Sequence, residues 1–382
     1  MGSDGLKPVR RYKTAAFPLA LLYAALIAYA SLFPFTGWRD QGIVPWAYLW
    51  APLPQYWTRF DVGANLVGYA PLGFLLALAW MPGRARWQGA AWASLAAAGL
   101  SFTLESLQSY LPLRVASNLD LALNAAGGAL GALGAVVLDR LGVMARWRRF
   151  RAAWFVRESR GALVLLALWP VGLLFPAPVA FGMGQVVERL ENTLGNWLEG
   201  TPYLSWLPLR RMDLPPMLPS VEALCVALGA LVPCLLAYTV VQRRGHRLMM
   251  AATALLTGVV TSALSAGLSY GPLYAWSWIS SPVEWGLLAA AVAAVLLLGL
   301  SPRACLLWLA AVLLVQLAVL NAAPQNLYFA ATLQSWEQGR FIHFNGLAQW
   351  VGWLWPFAAL AYLASRWGRP HADTPRPKQA AK

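Results

Sequence analysis

The chain has 382 residues, of which 59% are hydrophobic and only 12% are charged, and its formal net charge is +14. A soluble domain carries about a quarter charged residues, so this composition excludes an ordinary soluble fold and indicates an integral membrane protein. The 21 tryptophans fit a protein with many membrane–water interfaces, where amphipathic rings collect.

Apolar runs of about 20 residues, the length that crosses a bilayer as a helix, recur along the chain. They predict an all-α, polytopic transmembrane helical bundle of about ten spans with both termini in the cytoplasm. The predicted spans are residues 15–35, 61–81, 87–111, 118–139, 161–181, 220–242, 247–269, 282–300, 303–322 and 345–366.

The basic residues support this topology. If the N-terminal segment is cytoplasmic and the chain alternates sides, 22 of the 29 basic residues lie inside, as the positive-inside rule requires. The outside ones are Arg39, Arg59, Arg114, Arg189, Arg210, Arg211 and Arg340. The same distribution explains the net charge, so nucleic acid is not an expected partner.

The first span has a second interpretation. Basic residues, an apolar stretch and Ala28-Tyr29-Ala30 resemble a cleavable signal peptide. The apolar run continues through Leu32 and Phe33, which favours an uncleaved span.

The predicted spans divide the chain into five segments. Residues 1–14 are a cytoplasmic tail, 15–140 a four-span domain, 141–160 a basic cytoplasmic linker, 161–366 a six-span membrane extension and 367–382 a disordered cytoplasmic tail. The linker mixes basic and aromatic residues, so it is either a helix on the anionic inner surface or a loop that only fixes the topology. Apolar residues at helical spacing in 183–200 predict an amphipathic helix on the outer surface.

Four of the five spans that enter from outside carry an acid at or near their start: Asp61, Asp120, Glu222 and Glu284. Helix N-termini attract negative charge and need capping, which explains such placement without any chemistry. This structural interpretation is favoured for Glu222 and Glu284.

Glu105 is different, because it lies inside the third span and no cap explains it. Ionisable groups at membrane depth are costly and mark candidate functional sites. Acids and amides three or four residues apart share a helix face, and they recur on the second, third and fourth spans. The candidate ligand-binding residues are Asp61, Asn65, Glu105, Gln108, Arg114, Asp120 and Asn124, with Arg114 placed to pair with the acids.

The same polar residues have a structural alternative, a buried hydrogen-bonded network that locks four helices together. Small residues in the fourth span predict close helix approach there. They are Gly127, Gly128, Gly131 and Gly134.

Together with segments 29–35 and 69–74, these polar residues make residues 20–140 resemble the VanZ-like family, named for a teicoplanin-resistance protein. The resemblance implies a multi-pass protein of the bacterial cell (inner) membrane with a link to reduced glycopeptide susceptibility. The six later spans lie outside the resemblance, and their role stays open.

The favoured hypothesis is an envelope protein whose outer-leaflet polar pocket binds an envelope lipid, a lipid-linked cell-wall precursor or a glycopeptide. The alternatives are an enzyme with Glu105 or Asp120 as general acid or base, a transporter acting on a lipid-linked substrate, and a scaffold for other membrane proteins. The sequence has no metal-ligand spacing, phosphate loop or nucleophile motif, so an enzyme is disfavoured and no cofactor is expected.

Overall fold

The computed structural model describes residues 15–33, 35–54, 56–82, 84–156, 158–206, 217–322 and 342–367. The predicted tails, 1–14 and most of 367–382, lie outside these residues. The described residues form twelve α-helices and no strand. The helices are α1 (Ala16–Leu32), α2 (Arg59–Trp80), α3 (Arg86–Gln108), α4 (Asn118–Arg140), α5 (Val143–Trp154), α6 (Arg160–Leu173), α7 (Val187–Leu198), α8 (Pro219–Tyr238), α9 (Arg244–Tyr270), α10 (Ser281–Leu296), α11 (Pro302–Ala322) and α12 (Ile342–Trp367).

Each predicted span has a helix at its place, but the count of ten spans stays a prediction. Among the described residues, six helices are long and apolar enough to cross a membrane: α2, α4, α8, α9, α10 and α11. Helices α1 and α6 are apolar but shorter. The all-helical membrane class is therefore supported more firmly than the number of crossings.

The chain separates into two compact units, residues 1–150 and 151–382. In the first unit α4 packs against α2 along a row of glycines. A Cβ on Gly127 would lie 2.1 Å from the Leu66 carbonyl oxygen, and one on Gly131 would lie 1.8 Å from that of Ala70. A Cβ on Gly128 would lie 2.5 Å from the Cβ of Ala97 on α3, so these glycines confirm the predicted close approach. Gly134 takes no part, since nothing lies within 4 Å of its Cβ position.

The second unit is built around α8, whose second half is buried on all sides. Helices α9, α10 and α11 pack against it, and α6 pairs with α12. Gly172 of α6 and Gly352 of α12 lie so close that a Cβ on Gly352 would be 2.9 Å from the Gly172 carbonyl oxygen. The Trp355 indole N–H also donates to the Leu165 carbonyl at 2.7 Å.

The predicted span 161–181 is wrong in its extent, because α6 ends at Leu173 and residues 174–186 are irregular. Pro176 and Pro178 explain the break, since a proline removes a helical N–H donor and disfavours the α conformation of the residue before it. The helix predicted in 183–200 is present as α7. In the linker 141–160, where the sequence is compatible with either a helix or a loop, the chain forms the helix α5.

Candidate functional site

The candidate residues gather at one end of the first unit, where α1 and α3 end and α2 and α4 begin. This set of seven residues is called the polar cluster below. Its members are Asp61, Asn65, Glu105, Gln108, Arg114, Asp120 and Asn124. The positive-inside rule predicts that this end faces the outer side of the membrane.

Helix α2 contributes Asp61 and Asn65. Asp61 is exposed and forms a capping box with Thr58, whose hydroxyl accepts from the Asp61 N–H at 3.1 Å while the Asp61 carboxylate accepts from the Thr58 N–H at 2.9 Å. This cap explains an acid at that position. Asn65, one turn further, donates to the carboxylate of Asp120 on α4 at 2.7 Å.

Glu105 is buried, with 5% of its surface exposed. Its carboxylate accepts from the backbone N–H of Ser117, the N-cap of α4, at 2.9 Å. The Ser117 hydroxyl in turn accepts from the Asp120 N–H at 3.3 Å. The hydrogen bond from Ser117 joins Glu105 of α3 to the start of α4. A carboxylate at a helix N-terminus is also stabilised by the helix dipole.

Gln108 and Arg114 both contact the C-terminal end of α1. Gln108 donates to the Ser31 carbonyl at 3.0 Å, and Arg114 donates to the Phe33 carbonyl at 3.0 Å. The positive charge of Arg114 interacts favourably with the negative end of the α1 dipole. Partial burial of the guanidinium lowers its pKa. The predicted pairing of Arg114 with the acids stays a prediction.

Asn124 of α4 is buried and donates to the hydroxyl of Ser101 on α3 at 3.0 Å. Its side-chain oxygen is buried and has no hydrogen-bond partner among the described residues. Ser101 lies four residues before Glu105, on the same face of α3. The cluster therefore continues one turn deeper into the helices, and an acceptor is left there for a donor from a ligand or a water.

Within the polar cluster, Asn65 and Asp120 are bonded directly to each other. The other members bond to residues outside the set, and among the described residues Asp61 bonds only to its own helix cap. Sequence reasoning missed three of their partners, which are Thr58, Ser101 and Ser117. The patterns Thr58-x-x-Asp61 and Ser117-x-x-Asp120 are capping signatures and could have predicted two of them. Ser101 has no such local signal, because its role depends on which face of α4 meets α3.

Residues 15–139 match the model of the VanZ/LLP1 family, which confirms the resemblance seen over residues 20–140. This segment is a VanZ-like domain and contains the whole polar cluster. Comparison with curated proteins and with solved structures gave no match. The VanZ-like segment and the apolar helices together indicate a multi-pass membrane protein that contains a VanZ-like domain.

Proposed function

We propose that the VanZ-like domain binds the polar part of an envelope amphiphile at the outer face of the bacterial inner membrane and thereby lowers susceptibility to glycopeptides such as teicoplanin. The ligand is an envelope lipid, a lipid-linked cell-wall precursor or the glycopeptide itself. Its sugar hydroxyls or peptide amides donate hydrogen bonds to the polar cluster.

One observation carries this proposal. Glu105 is a buried carboxylate, and one turn deeper the buried Asn124 oxygen has no hydrogen-bond partner among the described residues. Burying such acceptors costs free energy unless a donor satisfies them, and a ligand that donates hydrogen bonds would remove this cost. Both are acceptors, so they select a ligand rich in hydrogen-bond donors.

A structural network is the second candidate, and the hydrogen bonds favour it directly. Asn65 joins α2 to α4, Glu105 joins α3 to α4, and Gln108 joins α3 to α1. On this view the polar cluster stabilises the four-helix domain, which then acts as a scaffold for other membrane proteins.

Glu105→Gln separates the two candidates, because the amide oxygen can still accept from the Ser117 N–H while the charge is lost. For a binding site, we expect the variant to return the teicoplanin susceptibility of an expressing bacterial host to that of the host without the protein. Its membrane level and melting temperature should stay close to those of wild type.

Asp139→Asn is the matched control. Asp139 lies at the opposite end of the same domain, where it pairs with Arg86 at 2.6 Å, so it loses the same charge far from the cluster. A host that expresses Asp139→Asn should have the same teicoplanin susceptibility as a host that expresses the wild-type protein. If Glu105→Gln instead lowers the melting temperature and the membrane level together, the cluster is structural and the binding proposal fails.

A further inference from the structure

The second unit contains a cavity of about 620 Å³ that the polar cluster does not use. It lies between the irregular segment 174–186 and the helix ends at Glu222 of α8 and Tyr270 of α9. Tyr270 and Tyr274, which line it, are 38% and 57% exposed, so the cavity reaches the surface. Ser262 also lines it, roughly 12 Å of helix from the α9 end, so it extends inward between the helices. This volume suits a small ligand or a lipid headgroup.

The backbone of segment 174–186 is held in place by side chains of α11. Gln316 donates to the Phe181 carbonyl at 3.0 Å, and Asn321 donates to the Gly184 carbonyl at 3.0 Å. The Asn321 oxygen also accepts from the N–H groups of Val186 and Val187 at 3.1 Å, at the start of α7. Irregular backbone at membrane depth is tolerated where it is buried in protein or lines a cavity, and here it does both.

Phe181 fixes the wall of this cavity. Its φ of 61° lies in the left-handed region, which is unfavourable for a bulky residue. Its ring packs beside Trp169 and Trp278, with ring centroids 6.0 Å apart in each pair. Strained residues of this kind persist where the surrounding structure over-determines them, and they concentrate at ligand sites.

The side chains that line the cavity combine one carboxyl group with several aromatic rings. Glu222 is the one ionisable acid among the described lining residues, and none of them is basic. Aromatic rings of Tyr270, Tyr274 and Trp278 surround the same space. The Trp278 indole nitrogen is buried without a hydrogen-bond partner among the described residues, so its N–H can donate to an acceptor on a ligand. A carboxyl group with several aromatic faces is the environment that recognises ammonium groups.

We infer that this cavity binds the ammonium group of a small amine or of an amine-bearing lipid headgroup, with Glu222 as the anionic partner and the Trp278 N–H donating to an oxygen of the same ligand. Helix α10 provides the comparison that separates this role from helix capping. Glu284 lies in the first turn of α10 as Glu222 does in that of α8, yet Glu284 is exposed and is not among the lining residues. A dipole role is common to both acids, whereas ligand binding belongs to Glu222 alone.

The test uses the full-length chain purified in detergent and analysed by native mass spectrometry with added phosphatidylethanolamine or phosphatidylglycerol. We expect wild type to retain phosphatidylethanolamine in preference to phosphatidylglycerol. Glu222→Gln should weaken retention of phosphatidylethanolamine at least about tenfold, the loss of roughly one charge-assisted contact. Glu284→Gln should bind as wild type does.

A second pair of variants tests the aromatic wall, and a soluble amine tests the source of the ligand. Tyr274→Leu should weaken binding, whereas Trp276→Leu, on the same connection but not among the lining residues, should not. If ethanolamine binds in a Glu222-dependent way and the lipid does not, the ligand is a soluble amine. The inference is overturned if neither ligand depends on Glu222, or if Glu284→Gln weakens binding equally.

Discussion

Arg247 is a basic residue at the predicted start of a membrane span, and the structure buries it in the first turn of α9. It is 4% exposed and donates to the carbonyls of Tyr238 at 3.0 Å, Val241 at 2.8 Å, Leu298 at 2.9 Å and Leu300 at 2.6 Å. Its guanidinium also lies 5.5 Å from the centroid of the Tyr238 ring. One side chain therefore donates hydrogen bonds to carbonyl groups just after or at the end of α8 and in the turn after α10, so Arg247 has a structural role as well as a place in the positive-inside count.

Arg247→Lys should lower the free energy of unfolding by about 2–4 kcal/mol, because a lysine cannot reach four carbonyls in the planar fork of a guanidinium. The measurement is the melting temperature of the purified protein in detergent. Arg243→Lys changes the exposed residue that precedes α9 and should leave that temperature unaltered. Equal melting temperatures for the two variants would show that the carbonyl contacts contribute little.

Glu222 and Glu284 occupy equivalent positions, each in the first turn of its helix, but have different surroundings. Sequence reasoning treats them alike, as acids that cap helices entering the membrane. In the structure Glu222 lines the cavity, whereas Glu284 is exposed. The difference depends on which face of each helix packs against its neighbours.

Among the helices, the pairing of α2 with α4 depends on backbone contact. Gly127 and Gly131 each bring the α4 backbone against a carbonyl of α2, and Gly73 of α2 lies as close to Gly128. In a membrane the lipid tails are as apolar as the helices, so the hydrophobic effect does not drive helices together. Small residues at a crossing let the backbones approach closely, and van der Waals packing then stabilises the pair. This close packing also sets the separation at which Asn65 reaches Asp120.

Gly131→Ala should destabilise the first unit by about 1–3 kcal/mol, because the added Cβ would overlap the Ala70 carbonyl and push the helices apart. Gly134→Ala makes the same chemical change three residues later, where the space is open. It should be neutral or stabilising by up to about 1 kcal/mol through helix propensity. The comparison is made by thermal unfolding, and a neutral Gly131→Ala would disprove the packing argument.

For the molecule as a whole, the membrane topology is the property on which the proposed role of the polar cluster rests. The predicted arrangement puts the basic helix α5 inside the cell and the amphipathic helix α7 outside. Trp147 of α5 and Trp197 of α7 are 50% and 80% exposed, so both positions accept a reporter cysteine. The three native cysteines are buried and contribute little background.

With a membrane-impermeant maleimide on intact cells, Trp197→Cys should be labelled and Trp147→Cys should be labelled only after the cells are broken. Wild type gives the background. Labelling of the α5 cysteine in intact cells would reverse the predicted orientation and move the polar cluster to the cytoplasmic side. The proposed glycopeptide role would then lose its physical basis.

The amino-acid sequence is enough to predict the all-helical membrane class, the places of the long helices among the described residues, the helix in 183–200 and the VanZ-like character of residues 20–140. These depend on hydropathy, spacing and order, which are local along the chain. The packed helices are needed to show that α6 stops at Leu173, that Arg247 is buried, that Asn124 contacts Ser101 and that Glu222 lines a cavity. The reason is that these outcomes depend on which helix faces meet, and an apolar helix in a membrane carries little polar–apolar contrast around its circumference to predict that choice.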